Sequence, residues 1–124
     1  SDGSVAAVAS AAAASVYDLE VYAPRIQESD ANKTRFYAIR EGEGEKEKSD
    51  RMLFSAKGNI SDFPQLIKAM GSSEPVAITS RPLKTKLGDY IWLIELEDAG
   101  YGEFLKIGKT EGFEFKYYGS FPLV

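Results

Sequence analysis

The stretch Ala77-Ile78-Thr79-Ser80-Arg81-Pro82-Leu83 turns from apolar to polar within one residue, and its reading decides the fold of everything after residue 50. It closes the apolar run Pro75-Val76-Ala77-Ile78, and a second run, Tyr90-Ile91-Trp92-Leu93-Ile94, follows soon after. Both runs are rich in β-branched and aromatic residues, and the link between them is short and charged. That pattern predicts two antiparallel strands joined by a hairpin-like connection. The corner Ser80-Arg81-Pro82 puts a hydroxyl and a guanidinium at the end of a buried strand. Such a corner can hold a carboxylate or a subunit contact, and it is equally a plain turn, since Pro marks turns generally.

Working outward, Met52 to Ala56 reads as a strand. Asn59 or Ser61 can cap a helix running to about Met70, with Phe63, Leu66, Ile67 and Met70 on one face and Pro64 tolerated in the first turn. Gly71-Ser72-Ser73 ends it. Between Ala99 and Thr110, Tyr101, Phe104, Leu105 and Ile107 stand at helical spacing among three glycines, so this helix is short. Phe113, Phe115 and Tyr117 alternate with Glu114, Lys116 and Tyr118 in a last strand. The order is β-α-β-β-α-β, the ferredoxin-like split arrangement, and the class is α+β. Trp92 and Ile94 lie on one face of their strand, with Ile91, Leu93 and Glu95 on the other. Apolar residues on both faces exceed what a one-sided layer needs, which predicts a homodimer or higher homo-oligomer.

Upstream, Arg40 to Asp50 contains no apolar residue and reads as a linker or mobile loop, the clearest boundary in the chain. It divides residues 1–40, 41–50 and 51–124. In the first part, Val5 to Tyr17 predicts an Ala-rich helix capped by Ser4 or Asp2, with Val5, Val8, Ala9, Ala12 and Val16 on one face. Leu19 to Ala23 predicts a short strand stopped by Pro24, then a loop over Gln27 to Lys33, then a strand over Thr34 to Ile39. One helix and about two strands cannot enclose a core of their own.

Composition excludes several classes. The net charge is −4 and no basic stripe exists, which disfavours nucleic acid and an anionic membrane surface. The Val5–Val16 run lacks a preceding Lys or Arg and falls short of the ~20 residues a spanning helix needs. There is no Cys and no His, so disulfides, thiolate nucleophiles, Cys-type zinc sites and a Ser-His-Asp arrangement are all impossible within these residues. Lack of Cys fits a reducing cytoplasm. Glu43, Glu45 and Glu47 lack calcium-loop spacing and read as a solvated linker. No metal or cofactor is expected. The sharpest chemical candidate is Thr34-Arg35-Phe36. A Thr hydroxyl can donate a proton to a departing hydroxyl, and an Arg can fix a carboxylate with a forked pair of hydrogen bonds. The same triplet also suits the head of a structural strand.

Ile78-Thr79-Ser80-Arg81-Pro82-Leu83 resembles the "E-S-R-P" motif of the ACT regulatory domain in prephenate dehydratases. Tyr118-Gly119-Ser120-Phe121-Pro122 resembles that family's closing "L-G-S-Y-P", and Asn32-Lys33-Thr34-Arg35-Phe36 its catalytic "N-x-T-R-F". Ala6-Ala7-Val8-Ala9-Ser10 and Tyr17-Asp18-Leu19-Glu20-Val21 resemble its "A-A-I-A-S … Y-G-L-E-V". The motifs fall in family order over nearly the whole chain.

The resemblance implies that residues 1–40 close a periplasmic-binding-protein-like α/β catalytic domain, most of which precedes Ser1, and that residues 51–124 form an ACT domain. It implies the conversion of prephenate to phenylpyruvate by dehydration and decarboxylation, a step of phenylalanine biosynthesis. Thr34 would assist loss of the ring hydroxyl, with Arg35 and Phe36 organising the site. It also implies L-phenylalanine as an allosteric ligand, bound at a "G-A-L" segment and at the "E-S-R-P" segment. Here the first reads Ile60-Ser61-Asp62-Phe63-Pro64, and the second keeps Ser80 and Arg81 with Thr79 in place of Glu. A non-enzymatic ACT-like module that senses an amino acid or only dimerises is the alternative.

Overall fold

The computed structural model describes residues 7–9, 20–29, 32–40, 42 and 44–123, the first three stretches as backbone. Four strands form one antiparallel sheet: β4 (Ser49–Asn59), β5 (Pro75–Pro82), β6 (Asp89–Ala99) and β7 (Phe113–Phe121). Their spatial order is β5-β6-β4-β7. Helix α1 (Phe63–Met70) follows β4, and α2 (Tyr101–Ile107) follows β6, which gives the β-α-β-β-α-β order read from the periodicity.

The two central strands carry the core. Met52, Phe54 and Ala56 of β4 join Trp92, Ile94 and Leu96 of β6, and Leu66, Met70 and Ile107 of the helices close over them. Aromatic rings knit this face together. Phe63 stacks on Trp92 at 4.7 Å between centroids, and Phe54 meets Phe104 edge-on at 5.9 Å. Burying each such side chain contributes about 1.5–3 kcal/mol.

Local chemistry sets the helix ends. The Asn59 carboxamide oxygen accepts from the Ser61 N–H at 3.0 Å, which opens a 3₁₀ turn over Ile60–Asp62 that runs into α1. Gly71 closes α1 at φ 56°, a conformation that favours glycine. On α1, Leu66 and Met70 are buried, but Ile67 is 42% exposed, so the apolar face is narrower than the spacing predicts. Helix α2 forms despite its glycines because the Glu103 carboxylate accepts from the Gly100 N–H at 2.9 Å.

The second face of the sheet differs from the open surface expected of it. Leu53, Leu93, Glu95, Tyr118 and Phe121 are all buried within this one chain. A register shift lies between Leu53 and Phe54 where β4 meets β7: Phe54 pairs with Tyr117 and Leu53 with Gly119. Tyr118 is the extra residue, and Gly119 takes φ 146° beside it. The bulge turns Tyr117 toward the helices and leaves Tyr118 on the second face.

The stretch Gly44 to Lys48, whose composition reads as linker, is fastened to β7 and α2. The Ser120 N–H and Oγ each donate to the Glu45 carbonyl at 2.9 Å. Tyr117 Oη also donates to that carbonyl, Ser120 Oγ reaches the Glu47 carbonyl, and the Tyr101 N–H donates to Lys46 at 3.0 Å.

Before residue 41 the strand content exceeds the expectation. Strands β1 (Ala7–Ala9), β2 (Glu20–Ser29) and β3 (Asn32–Arg40) form a second antiparallel sheet in the order β1-β3-β2. Ala7–Ala9 was expected inside a helix; instead it pairs with Tyr37–Ile39. Helix preference among these residues is a few tenths of a kcal/mol each, and hydrogen bonding along the free edge of β3 outweighs it. The rest of the Val5–Tyr17 expectation lies outside the described residues. Pro24 does not stop β2, because it follows an irregularity between Val21 and Ala23, a position that tolerates a missing N–H. The loop expected over Gln27 to Lys33 is largely strand as well, a hairpin in which Ser29 pairs with Asn32.

Candidate functional site

Thr34, Arg35 and Phe36 lie within β3, paired in register with Gln27, Ile26 and Arg25 of β2. The sheet that holds them meets the four-stranded sheet where β2 runs alongside β7.

The other expected residues, Thr79, Ser80 and Arg81, lie on β5, an edge strand, and all three are exposed. Ser80 pairs with Trp92 and so shares the helix-covered face. Thr79 pairs with Leu93 and Arg81 with Ile91, which puts both on the second face. The structure therefore does not bring the three together; the edge of β5 runs between Ser80 and Arg81.

The segment Ile60–Pro64 sits at this same end of the sheet. Its backbone donors are engaged inside the chain. The Ile60 N–H donates to Gly88 at 2.8 Å, the Ser61 N–H to Asn59, and the Phe63 N–H to the Ile60 carbonyl. Asn59 in turn donates to the Asp89 carboxylate at 3.0 Å. Three amides that could receive a ligand carboxylate are thus already satisfied.

The opposite end of the sheet holds a polar hollow of about 500 Å³ between the end of α1 and the start of α2. Lys48, Ser73, Glu74, Asp98, Glu103 and Lys106 line it. Asp98 takes φ 48°, rare for a residue with a side chain. Burial pushes the Glu103 carboxyl up, but hydrogen bonds from the Gly100 and Glu103 amides and the charges of Lys48 and Lys106 outweigh it. The net position is below the ordinary carboxylate range.

Two further features escaped sequence reasoning. Arg51 Nε stands 3.2 Å from the fully buried Glu95 carboxylate, without hydrogen-bond alignment, so the contact is one of charge. Lys57 and Lys116, far apart in the chain, flank Ser55 on the second face. No sequence spacing signals such a pair, because only the β4–β7 register creates it. Among the described residues no group of three or more His, Cys, Asp or Glu is placed to hold a metal ion, and no helix is long and apolar enough to cross a membrane.

A family model described as prephenate dehydratase matches residues 1–44. A prephenate dehydratase of Lactococcus lactis is 36% identical over 106 residues, covering 75% of this chain and 36% of the relative. A bifunctional chorismate mutase/prephenate dehydratase of Neisseria gonorrhoeae is 31% identical over 130 residues, covering 98% of this chain and 36% of the relative. The chain thus spans about a third of the length of these relatives. An X-ray structure of prephenate dehydratase from Streptococcus mutans superposes with a TM-score of 0.62 at 20% identity, covering 85% of this chain and 61% of that one, a likeness of fold. The resemblance to prephenate dehydratases read from the motifs is therefore shared by relatives in sequence and in fold.

Proposed function

We propose that this chain is the C-terminal part of a prephenate dehydratase. Residues 1–40 would close its catalytic domain, 41–50 connect, and 51–124 form a divergent ACT regulatory domain of ferredoxin-like fold, in a cytoplasmic enzyme. One observation carries the reading: a prephenate dehydratase pattern over residues 1–44 runs directly into a β-α-β-β-α-β layer with strand order β5-β6-β4-β7.

In this reading Thr34 donates a proton to the departing ring hydroxyl of prephenate, which leaves as water while the ring carboxylate leaves as carbon dioxide and the ring becomes aromatic. Arg35 holds a substrate carboxylate, and Phe36 packs beside them. Orientation supplies much of such a rate, so the substrate needs the missing part of the cleft as well. Regulation by L-phenylalanine would use Ser80 and Arg81. The engaged amides of Ile60, Ser61 and Phe63 weaken that site. The exposed β5 edge, with Ile78 38% exposed, supports pairing with a second copy.

The test joins this chain to its upstream catalytic part and follows phenylpyruvate formation from prephenate. Activity that falls at least about 100-fold in Thr34→Ala supports the reading, on the scale of general-acid catalysis. Full-length protein with no dehydratase activity refutes it and leaves the non-enzymatic module.

A further inference from the structure

The second face of the four-stranded sheet holds a hollow of about 300 Å³ apart from every site considered so far. Ser55 and Tyr118 are 4% and 1% exposed and form its floor, and Ile91 walls one side. Lys57 and Glu114 stand at its rim, ion-paired at 3.2 Å. Lys116 lines it opposite Ser55, with its ammonium 5.6 Å from the centre of the Tyr118 ring.

Register extends the pattern across the sheet. One cross-strand row reads Arg81, Ile91, Lys57, Glu114, and the next reads Thr79, Leu93, Ser55, Lys116. In these two rows Arg81, Lys57 and Lys116 accompany the Glu114 carboxylate around a floor of apolar side chains and hydroxyls. The other described acids of β6 on this face are Asp89 at the near end, whose carboxylate accepts from Asn59 at 3.0 Å, and Glu95 and Glu97 toward the far end, where Arg51 stands beside both at 3.2 and 3.9 Å.

We propose that this hollow binds a small organic carboxylate with a flat apolar body. The carboxylate sits between Lys57 and Lys116, and the body lies against Ile91 and Tyr118. The volume stands at the lower end of ligand cavities, about 300–1,000 Å³. Burial holds the Lys116 ammonium below the ordinary lysine range, so an arriving anion meets a charge that gains more from it than a fully hydrated one would. The apolar wall adds the area term that a bare inorganic anion cannot use. Ser80 faces the other side of the sheet and takes no part, which separates this site from a ligand held by Ser80 at the Ile60–Pro64 end. The proposal does not depend on the enzymatic reading.

The experiment is an amide-resolved NMR titration of the full 124-residue chain with benzoate, with benzyl alcohol and sodium phosphate at matched ionic strength as controls. Saturable shifts at Ser55, Lys57 and Lys116 with benzoate are expected, with much weaker responses to either control. Lys57→Gln and Lys116→Gln are each expected to weaken benzoate by about tenfold, the scale of one lost charge-assisted contact. Ser80→Ala should leave it unchanged. Lys57→Arg and Lys116→Arg keep the charge and should keep most of the binding; they serve as the deciding pair should a glutamine variant lose its cooperative melt. No saturable shift with benzoate, equal saturation by phosphate, or unchanged affinity in both glutamine variants would each overturn the proposal.

Discussion

Ser120→Ala isolates the claim that Gly44–Lys48 belongs to the fold rather than to a free linker. Ser120 is 2% exposed, and its Oγ reaches the carbonyls of both Glu45 and Glu47. A hydroxyl has one proton, so it satisfies one carbonyl at a time. The Glu45 carbonyl keeps the Ser120 N–H and the Tyr117 hydroxyl after the substitution. The Glu47 carbonyl loses the Ser120 hydroxyl. Glu47 is an exposed residue whose carbonyl can turn to water, so the lost hydrogen bond costs about 0.5–1.5 kcal/mol. At about 1 kcal/mol the open form of the segment becomes roughly 5-fold more populated. Lys46 and Lys48 make this readable as tryptic cleavage, which tracks the open population when reclosing is fast. Cleavage at these two sites is expected to accelerate roughly 2- to 10-fold, with a fall in urea midpoint and an unchanged slope. Tyr117→Phe removes a donor from a carbonyl that has others and should cost under ~1 kcal/mol. Equal cleavage of wild type and Ser120→Ala, or a larger effect from Tyr117→Phe, would refute the reasoning.

The 124-residue chain alone is expected to show no dehydratase activity; phenylpyruvate made by it and lost in Thr34→Ala would overturn this. L-Phenylalanine is expected to bind weakly or not at all by calorimetry, and micromolar binding lost in Arg81→Ala would show a surviving site. Sedimentation at micromolar concentration is expected to find a homodimer, and a folded monomer there would rule out pairing through the β5 edge. Glu103 has a folded-state pKa below its unfolded one, so its contribution is present above the unfolded value and lost as pH falls through the folded one. Glu103→Gln should therefore flatten the decline of stability below about pH 4.5 relative to wild type; identical acid denaturation profiles would refute the assignment.

The second half of the fold was legible because its signals are local. Alternation in Phe113–Tyr118, the Asn59 cap and the Gly71 stop all appear where the sequence places them. The first part misled for a physical reason. Ala7–Ala9 carries helix preference, yet its partner is Tyr37–Ile39, some thirty residues on, and no local window contains that pairing. The triplet Thr34-Arg35-Phe36 stands out only as a motif, and Lys57 with Lys116 not at all, since each alone is a solvent-side residue of an alternating strand. The closing Tyr118-Gly119-Ser120-Phe121 gains a physical account that resemblance could not give. It holds a bulge residue, a glycine at positive φ, the hydroxyl that fastens residues 45–47, and a buried ring.

Strand parity constrains what β5 can do. Consecutive residues of a strand face opposite sides, so Ser80 and Arg81 address different spaces: one beside Trp92 and the helices, the other beside Ile91 and the lysine-flanked hollow. A ligand gripped by both from within one chain would have to wrap around the exposed edge of β5. Two arrangements avoid that. In one, a second copy lies against the edge and completes a site to which each chain offers one of the two residues, so that ligand binding and pairing are coupled and weaken together on dilution. In the other, Arg81 turns from the motif's expected partner to the second face and joins Lys57 and Lys116. Arg81→Ala separates them, because loss of pairing belongs to the first arrangement and loss of benzoate binding in a chain whose assembly is unchanged belongs to the second.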